Sequence, residues 1–324
     1  EYAKGQFFNT FPSKKIRIPV NKETVLKNKI VPMDDADQIV PYIDIELKGN
    51  VLYKNRLLML DIIASNNWER PIYFTGGSFG DDDYLWMKDY LQLDGVAYKL
   101  IPIRTPIDPR NPYDMGRVDA DKMYDIVKKW YWGNSGSPDI YHDRETRTNA
   151  ITYRGNMARL VEQLLAENKP EKAKEIMDLA MEKMPVDIFE FYTLVEPYIT
   201  GYYEIGETQR ARDIWKEVAT KYQEQLTYFS NVDEELQYKY YEEILTNIEK
   251  YRSLVDLLII NDDRELFEKE ATVFDNYMRT FPYLMGDEDE GEEVPQELLE
   301  TLPEPSIEIP AQDSVKDEVL TDLN

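Results

Sequence analysis

Apolar side chains fall on alternate positions in several short stretches of the first hundred residues. From about residue 147 they recur every three or four instead. "KKIRIPV" (14–20) and "YIDIEL" (42–47) have the alternation of half-buried strands. "YKNRLLMLDIIASNN" (53–67) places Leu57, Leu60, Ile63 and Ala64 at helical spacing, and Asn66 and Asn67 mark its end. "RPIYFT" (70–75) predicts a strand, "DDDYLWMKDYLQLDG" (81–95) a helix and "VAYKLIPI" (96–103) another strand. Strand, helix and strand in so short a span predict a parallel, right-handed crossover. A proline-rich link, "TPIDPRNPYD" (105–114), leads into a predicted helix over "DADKMYDIVKKWYW" (119–132).

The second half predicts helical hairpins. "NAITYRGNMARLVEQLLAEN" (149–168) and "PEKAKEIMDLAMEKMP" (170–185) join at Asn168-Lys169-Pro170. A second pair spans 188–205 and 207–226, joined at Gly206. Its second helix superposes on the first pair's with a shift of 38, setting Ala173 on Ala211, Ile176 on Ile214 and Met177 on Trp215. Such a period is the mark of stacked repeats. Ala173, Ala180 and Pro185 fit the A-x6-A-x4-P pattern of tetratricopeptide repeats, while the second copy has Val218 and Gln223 in place of the last two. A third pair, 233–260 and 263–281, lacks the pattern and is expected to cap the stack.

The predicted fold class is therefore an α+β or α/β N-terminal domain with a small mixed sheet, followed by an all-α tetratricopeptide-like domain. The small domain is expected over 1–135, a connector over 136–146 and the repeats over 147–285, as pairs 149–185, 188–226 and 233–281. An acidic tail fills 286–324.

Charge narrows the partners. The net charge is −25, and residues 286–324 supply −13 of it through fourteen acids and one lysine, which leaves −12 on the rest. The tail is proline-rich and poor in aromatics, a composition that predicts disorder. With no basic stripe, nucleic acid is excluded as an expected partner. There is no cysteine, so thiolate nucleophiles, disulfides and cysteine metal sites are impossible. With one histidine, His142, a metal site built on a histidine pair is impossible too. No cofactor is expected. The longest apolar stretch, "LLMLDIIA" (57–64), contains Asp61 and falls far short of the roughly 20 residues of a membrane span. Because the chain opens on Glu1, it is expected to be a piece of a longer or processed protein.

Candidate chemistry concentrates in "NNWERPIYFTGGSFGDDD" (66–83). A strand-to-helix turn is where open α/β sheets bind ligands. "GGSFG" matches no phosphate-binding fingerprint, and Asp81, Asp82 and Asp83 favour a cation or sugar hydroxyls over phosphate. The plainer reading leads: one aspartate caps the helix, its neighbours lie on the helix dipole, Trp68 packs and Arg70 pairs with an acid. "KKWYWGNSGSPDIYHD" (128–143) offers Trp130 and Trp132, which could stack on sugar rings but at a domain seam more often pack. His142 has Asp143 beside it and no nucleophile assignable from sequence.

Three stretches taken together carry a resemblance: "LDIIASNNWERPIYF" with "DDDYLWMKDYLQLDGVAYKLIPI", then "WYWGNSGSPDIYHDRETRTNAITYRGNMARL", then "KPEKAKEIMDLAMEKMP". In order and content the chain, over roughly residues 10 to 282, resembles the C-terminal soluble region of Bacteroidetes membrane proteins grouped as domain of unknown function 2723. Members of that group are similar to protein O-mannosyltransferase-like C-class glycosyltransferases. The resemblance implies preceding membrane helices that carry the transferase site, with this region on the periplasmic face of the inner membrane. Any glycosyl transfer would belong to the parent protein, and no catalytic residue carries over to this chain.

The expectation that follows is a non-catalytic accessory domain whose helical repeats bind a protein partner or acceptor polypeptide, touching membrane only through the missing spans. One alternative is a carbohydrate-binding module using Trp68, Arg70, Asp81, Asp82, Asp83, Trp130 and Trp132. The other is a self-contained hydrolase acting through the turn at 76–83.

Overall fold

The computed structural model describes residues 13–47, 51–75, 84–107, 115–281 and 283. The chain divides into two compact units, Glu1–Thr280 and Phe281–Asn324, and every element below lies in the first. The expected acidic tail, 286–324, falls outside the described residues.

Strand β1 (Lys15–Pro19) runs into helix α1 (Lys22–Lys27), whose first turn is closed by Asn21, its side chain accepting from the Thr24 amide at 3.1 Å. Strand β2 (Tyr42–Glu46) returns antiparallel to β1, pairing Ile18 with Ile43 and Ile16 with Ile45. Ile18, Ile43 and Ile45 point inward, as their alternation predicts. Helix α2 (Lys54–Ser65) ends at Asn66 and buries Leu60 and Ile63, while Leu57 and Ala64 are exposed. Leu60 and Ile63 join Val25, Trp86, Met87 and Leu91 in the core of the α/β part.

The expected crossover is not there. Strand β3 (Tyr73–Phe74) is followed, after the undescribed 76–83, by a 3-10 helix at Tyr84–Tyr90 and then by strands β4 (Leu91–Asp94) and β5 (Ala97–Leu100). Both β3 and β4 pair antiparallel with β5. The "LQLDG" end of the predicted helix is a strand and a two-residue turn, with Gly95 at φ 73° as the first turn residue. A positive φ there suits the tight hairpin, so the Asp-Gly pair turns a strand rather than ending a helix. Strand β6 (Arg117–Val118) lies parallel to β4, giving a mixed sheet in the order β3-β5-β4-β6. Helix α3 (Ala120–Val127), capped by Asp119, follows.

Helices then dominate. α4 (Arg144–Ala166) and α5 (Pro170–Lys183) form the first hairpin, with Asp143 capping α4 and Pro170 opening α5, where its missing N–H costs nothing. The expected continuous helix 188–205 is broken. A single turn α6 (Val186–Phe189) gives way to Glu190 and Phe191 at φ 50° and 48°, a 3-10 turn at Tyr192–Val195, and α7 (Glu196–Glu204). Arg154, fully buried in α4, holds this break. Its guanidinium donates to the carbonyls of Met184 and Glu190, both at 2.6 Å. α8 (Thr208–Ser230) completes the second hairpin. In the third, α9 (Glu234–Lys239) turns at Tyr240 into α10 (Tyr241–Ile260), which folds back as α11 (Arg264–Met278).

The positions aligned between the two hairpins share their burial. Ala173, Met177 and Ala180 of α5, and Ala211, Trp215 and Val218 of α8, are all fully buried. Between hairpins, Trp215 donates to the Leu254 carbonyl at 2.6 Å. Arg212 grips Asp263 with two contacts of 2.7 Å, and Asp263 also accepts from the Tyr203 hydroxyl and caps α11. Helices and sheet are latched together as well. Asn156 donates to the Gly95 carbonyl, and Arg159 donates to those of Met115 and Gly116.

Candidate functional site

α4, α7 and α10 are the first helices of the three hairpins, and a groove of about 640 Å³ opens among them. Gly201 in α7 permits the close approach that shapes it. A β-carbon there would stand 2.6 Å from Met177 Sδ and 3.3 Å from Val161 Cγ1. Val161, Leu165, Pro197 and Leu257 form the apolar part of its wall, and Glu162, Glu196 and Glu204 supply carboxylates. Glu196 is the first residue of α7. Burial pushes its carboxyl above the usual range, against a weak 3.4 Å contact from the Ser253 hydroxyl. Its Oε1 is shielded from solvent and has no hydrogen-bond partner among the described residues.

A second cavity, about 360 Å³, lies where the chain leaves α3 and enters α4. Trp130 and Trp132 meet edge to face with centroids 5.5 Å apart, and Tyr153 packs 5.1 Å from Trp130 and 5.7 Å from Trp132. Tyr131, between the tryptophans, is 97% exposed on the rim. Trp132 Nε1 and Ser135 Oγ are buried without a hydrogen-bond partner among the described residues. Gly136 makes the adjoining loop possible, because a β-carbon there would collide with the Glu182 carbonyl at 2.2 Å.

Among the described sequence candidates, then, only Trp130 and Trp132 share a cavity. Trp68 does not line their cavity; it is buried, its indole donating to the Pro19 carbonyl at 3.2 Å. Arg70 is exposed, and its carbonyl accepts from Asn66 at 2.7 Å. Asp81, Asp82 and Asp83 lie outside the described residues, as does the turn on which the hydrolase alternative depended. His142 packs its ring 5.1 Å from Phe189, while Asp143 caps α4 by accepting from the Thr146 amide at 2.7 Å. No group of three or more acids and histidines among the described residues is arranged to hold a metal ion.

Sequence reasoning missed a buried polar cluster on the mixed sheet. Asp94 accepts from Gln92 at 2.8 Å, from the Tyr73 hydroxyl at 3.0 Å and from Lys122. Lys99, 4% exposed, donates to the Ile30 carbonyl at 2.7 Å. Burial, seconded by the Lys122 charge, lowers Lys99 to about 8. Burial and the Asp94 charge push the Tyr73 hydroxyl up to about 12. The signal was a lysine in the middle of the apolar run "VAYKLIPI". The cluster fixes sheet to loop, and neither cavity reaches it.

Residues 1–122 match the family model described as TMEM260-associated domain 2. That family is one of membrane proteins, and no helix among the described residues is long and apolar enough to cross a membrane. The match covers the α/β part and stops inside α3, so it includes neither cavity. No curated protein and no solved structure matches the chain.

Proposed function

We propose that this chain is a binding rather than catalytic module, an accessory region of a membrane glycosyltransferase-like protein on its periplasmic side, whose helical hairpins hold a polypeptide. The carrying observation is the groove walled by α4 and α7, with Leu257 of α10 at its edge. Stacked helix pairs present such surfaces to extended chains. The match of residues 1–122 to a domain associated with membrane proteins supports the setting. A photo-crosslinking residue at Thr200, in the groove, should trap one discrete polypeptide in the intact parent protein, and one at Lys216, on the exposed side of α8, should trap none. Equal or absent labelling from both positions would overturn the reading.

The aromatic cavity supports a second reading, saccharide binding. Two ring faces beside unpartnered Trp132 Nε1 and Ser135 Oγ combine a stacking wall with groups able to bond hydroxyls. Saccharide titration followed by tryptophan fluorescence should give a saturable change that Trp132→Ala abolishes. No change at millimolar sugar removes this reading.

A further inference from the structure

The chemistry of the groove selects its occupant. Three carboxylates line it, from Glu162, Glu196 and Glu204, and no lysine, arginine or histidine is among the described residues of its lining. Glu162 and Glu204 are exposed, whereas Glu196 lies deeper, and burial outweighs its one hydroxyl contact. Its charge also reaches the Tyr222 hydroxyl, which is buried and has no partner among the described residues. An acid at the start of a helix is ordinary, since the dipole favours it. The dipole does not supply a hydrogen bond to a shielded oxygen. A carboxylate drawn partly out of water favours a cation beside it, and half-buried Glu196 lines a groove that has threonine hydroxyls but no cation among its described lining residues.

We propose that the groove takes a lysine or arginine side chain of a bound polypeptide, with Glu196 as its counter-charge. This rests on the reading of the groove as a polypeptide site. The apolar walls at Val161, Leu165, Pro197 and Leu257 suit the methylene stem of such a side chain, while Glu162 and Glu204 attract its charged end at the mouth. A body carrying −12 apart from its tail adds long-range attraction for a basic segment and repels an acidic one.

The test pans a random dodecapeptide library against the intact chain, Glu196→Gln and Thr200→Trp. Peptides selected by the intact chain should share one lysine or arginine position, and replacing that residue by norleucine in a synthetic copy should weaken binding at least tenfold by fluorescence polarisation. Glu196→Gln should lose at least tenfold for the cationic copy and little for the norleucine one. An equal change of charge at exposed Glu234, as Glu234→Gln, should do nothing. Thr200→Trp, which fills the groove, should abolish both. If selected peptides have no shared cation, or norleucine binds as tightly, the cation assignment is overturned while the groove reading stands, provided Thr200→Trp still blocks binding. If no peptide is selected, or Thr200→Trp changes nothing, both are overturned. Thermal melts that match the parent chain show that each variant is folded.

Discussion

Lys99 makes stability depend on alkaline pH in a way that can be worked through. Its folded value of about 8 lies below the 10.5 of an unhindered lysine. Between these two values the unfolded chain holds the proton and the folded chain has released it, so stability rises with pH. The whole gap corresponds to about 3 kcal/mol at roughly 1.4 kcal/mol per pH unit. About 2 kcal/mol of that is gained between pH 8 and pH 10, since the unfolded lysine is still largely protonated there. Raised tyrosines oppose this from about pH 9 upward: unfolded tyrosines ionise near 10, whereas Tyr73, Tyr124 and Tyr251 are each pushed up to about 12, so there the folded chain keeps the protons. Urea unfolding at pH 8, 9 and 10, followed by far-ultraviolet circular dichroism, should show the parent chain gaining about 2 kcal/mol relative to Lys99→Met, the tyrosines being common to both proteins. The variant also loses the bond to the Ile30 carbonyl, which lowers its curve throughout without tilting it. Parallel pH slopes in the two proteins would refute the assignment.

Arg154→Met leaves two carbonyls without their donor and should cost about 3 kcal/mol in chemical denaturation, since each orphaned buried group costs roughly 1–3 kcal/mol. Gly201→Val should lose about 3 kcal/mol through overpacking against Met177 and Val161, and a melting temperature equal to the parent's would refute the close approach. Asp263 is held below the usual carboxylate range, first by Arg212, so the stability it contributes is complete above the unfolded value and is lost as pH falls through the lower folded one. Asp263→Asn should therefore flatten the acid limb of the stability profile below about pH 4, measured by the same urea titrations.

Much of the architecture was legible because burial and periodicity agree in it. Ala173 and Ala211 gave the repeat, and their burial is what a small residue between two helices requires. The first strand pair was readable for the same reason, with Ile18, Ile43 and Ile45 on one face. Failures came where a long-range contact overrode local pattern. Nothing local announces that Arg154 reaches thirty-six residues onward to hold Glu190 with a positive φ and so breaks a predicted helix. "YLWMKDYLQLDG" has helical spacing, yet its end is drawn into the centre of a sheet, where β5 and β6 supply the partners. The aromatic cavity was half visible, since Trp130 and Trp132 are two residues apart in sequence but Tyr153 comes from α4. Glu196 was invisible as a site because an acid before a proline at a helix start has an ordinary local explanation.

The bonds from Asn156 to the β4–β5 turn and from Arg159 to the two residues before β6 give α4 a fixed bearing on the α/β part. Since α4 is also one wall of the groove, the opening keeps a set compass heading relative to the mixed sheet. If the groove holds a polypeptide as proposed, that chain enters as through a window in a wall rather than a hatch on a hinge.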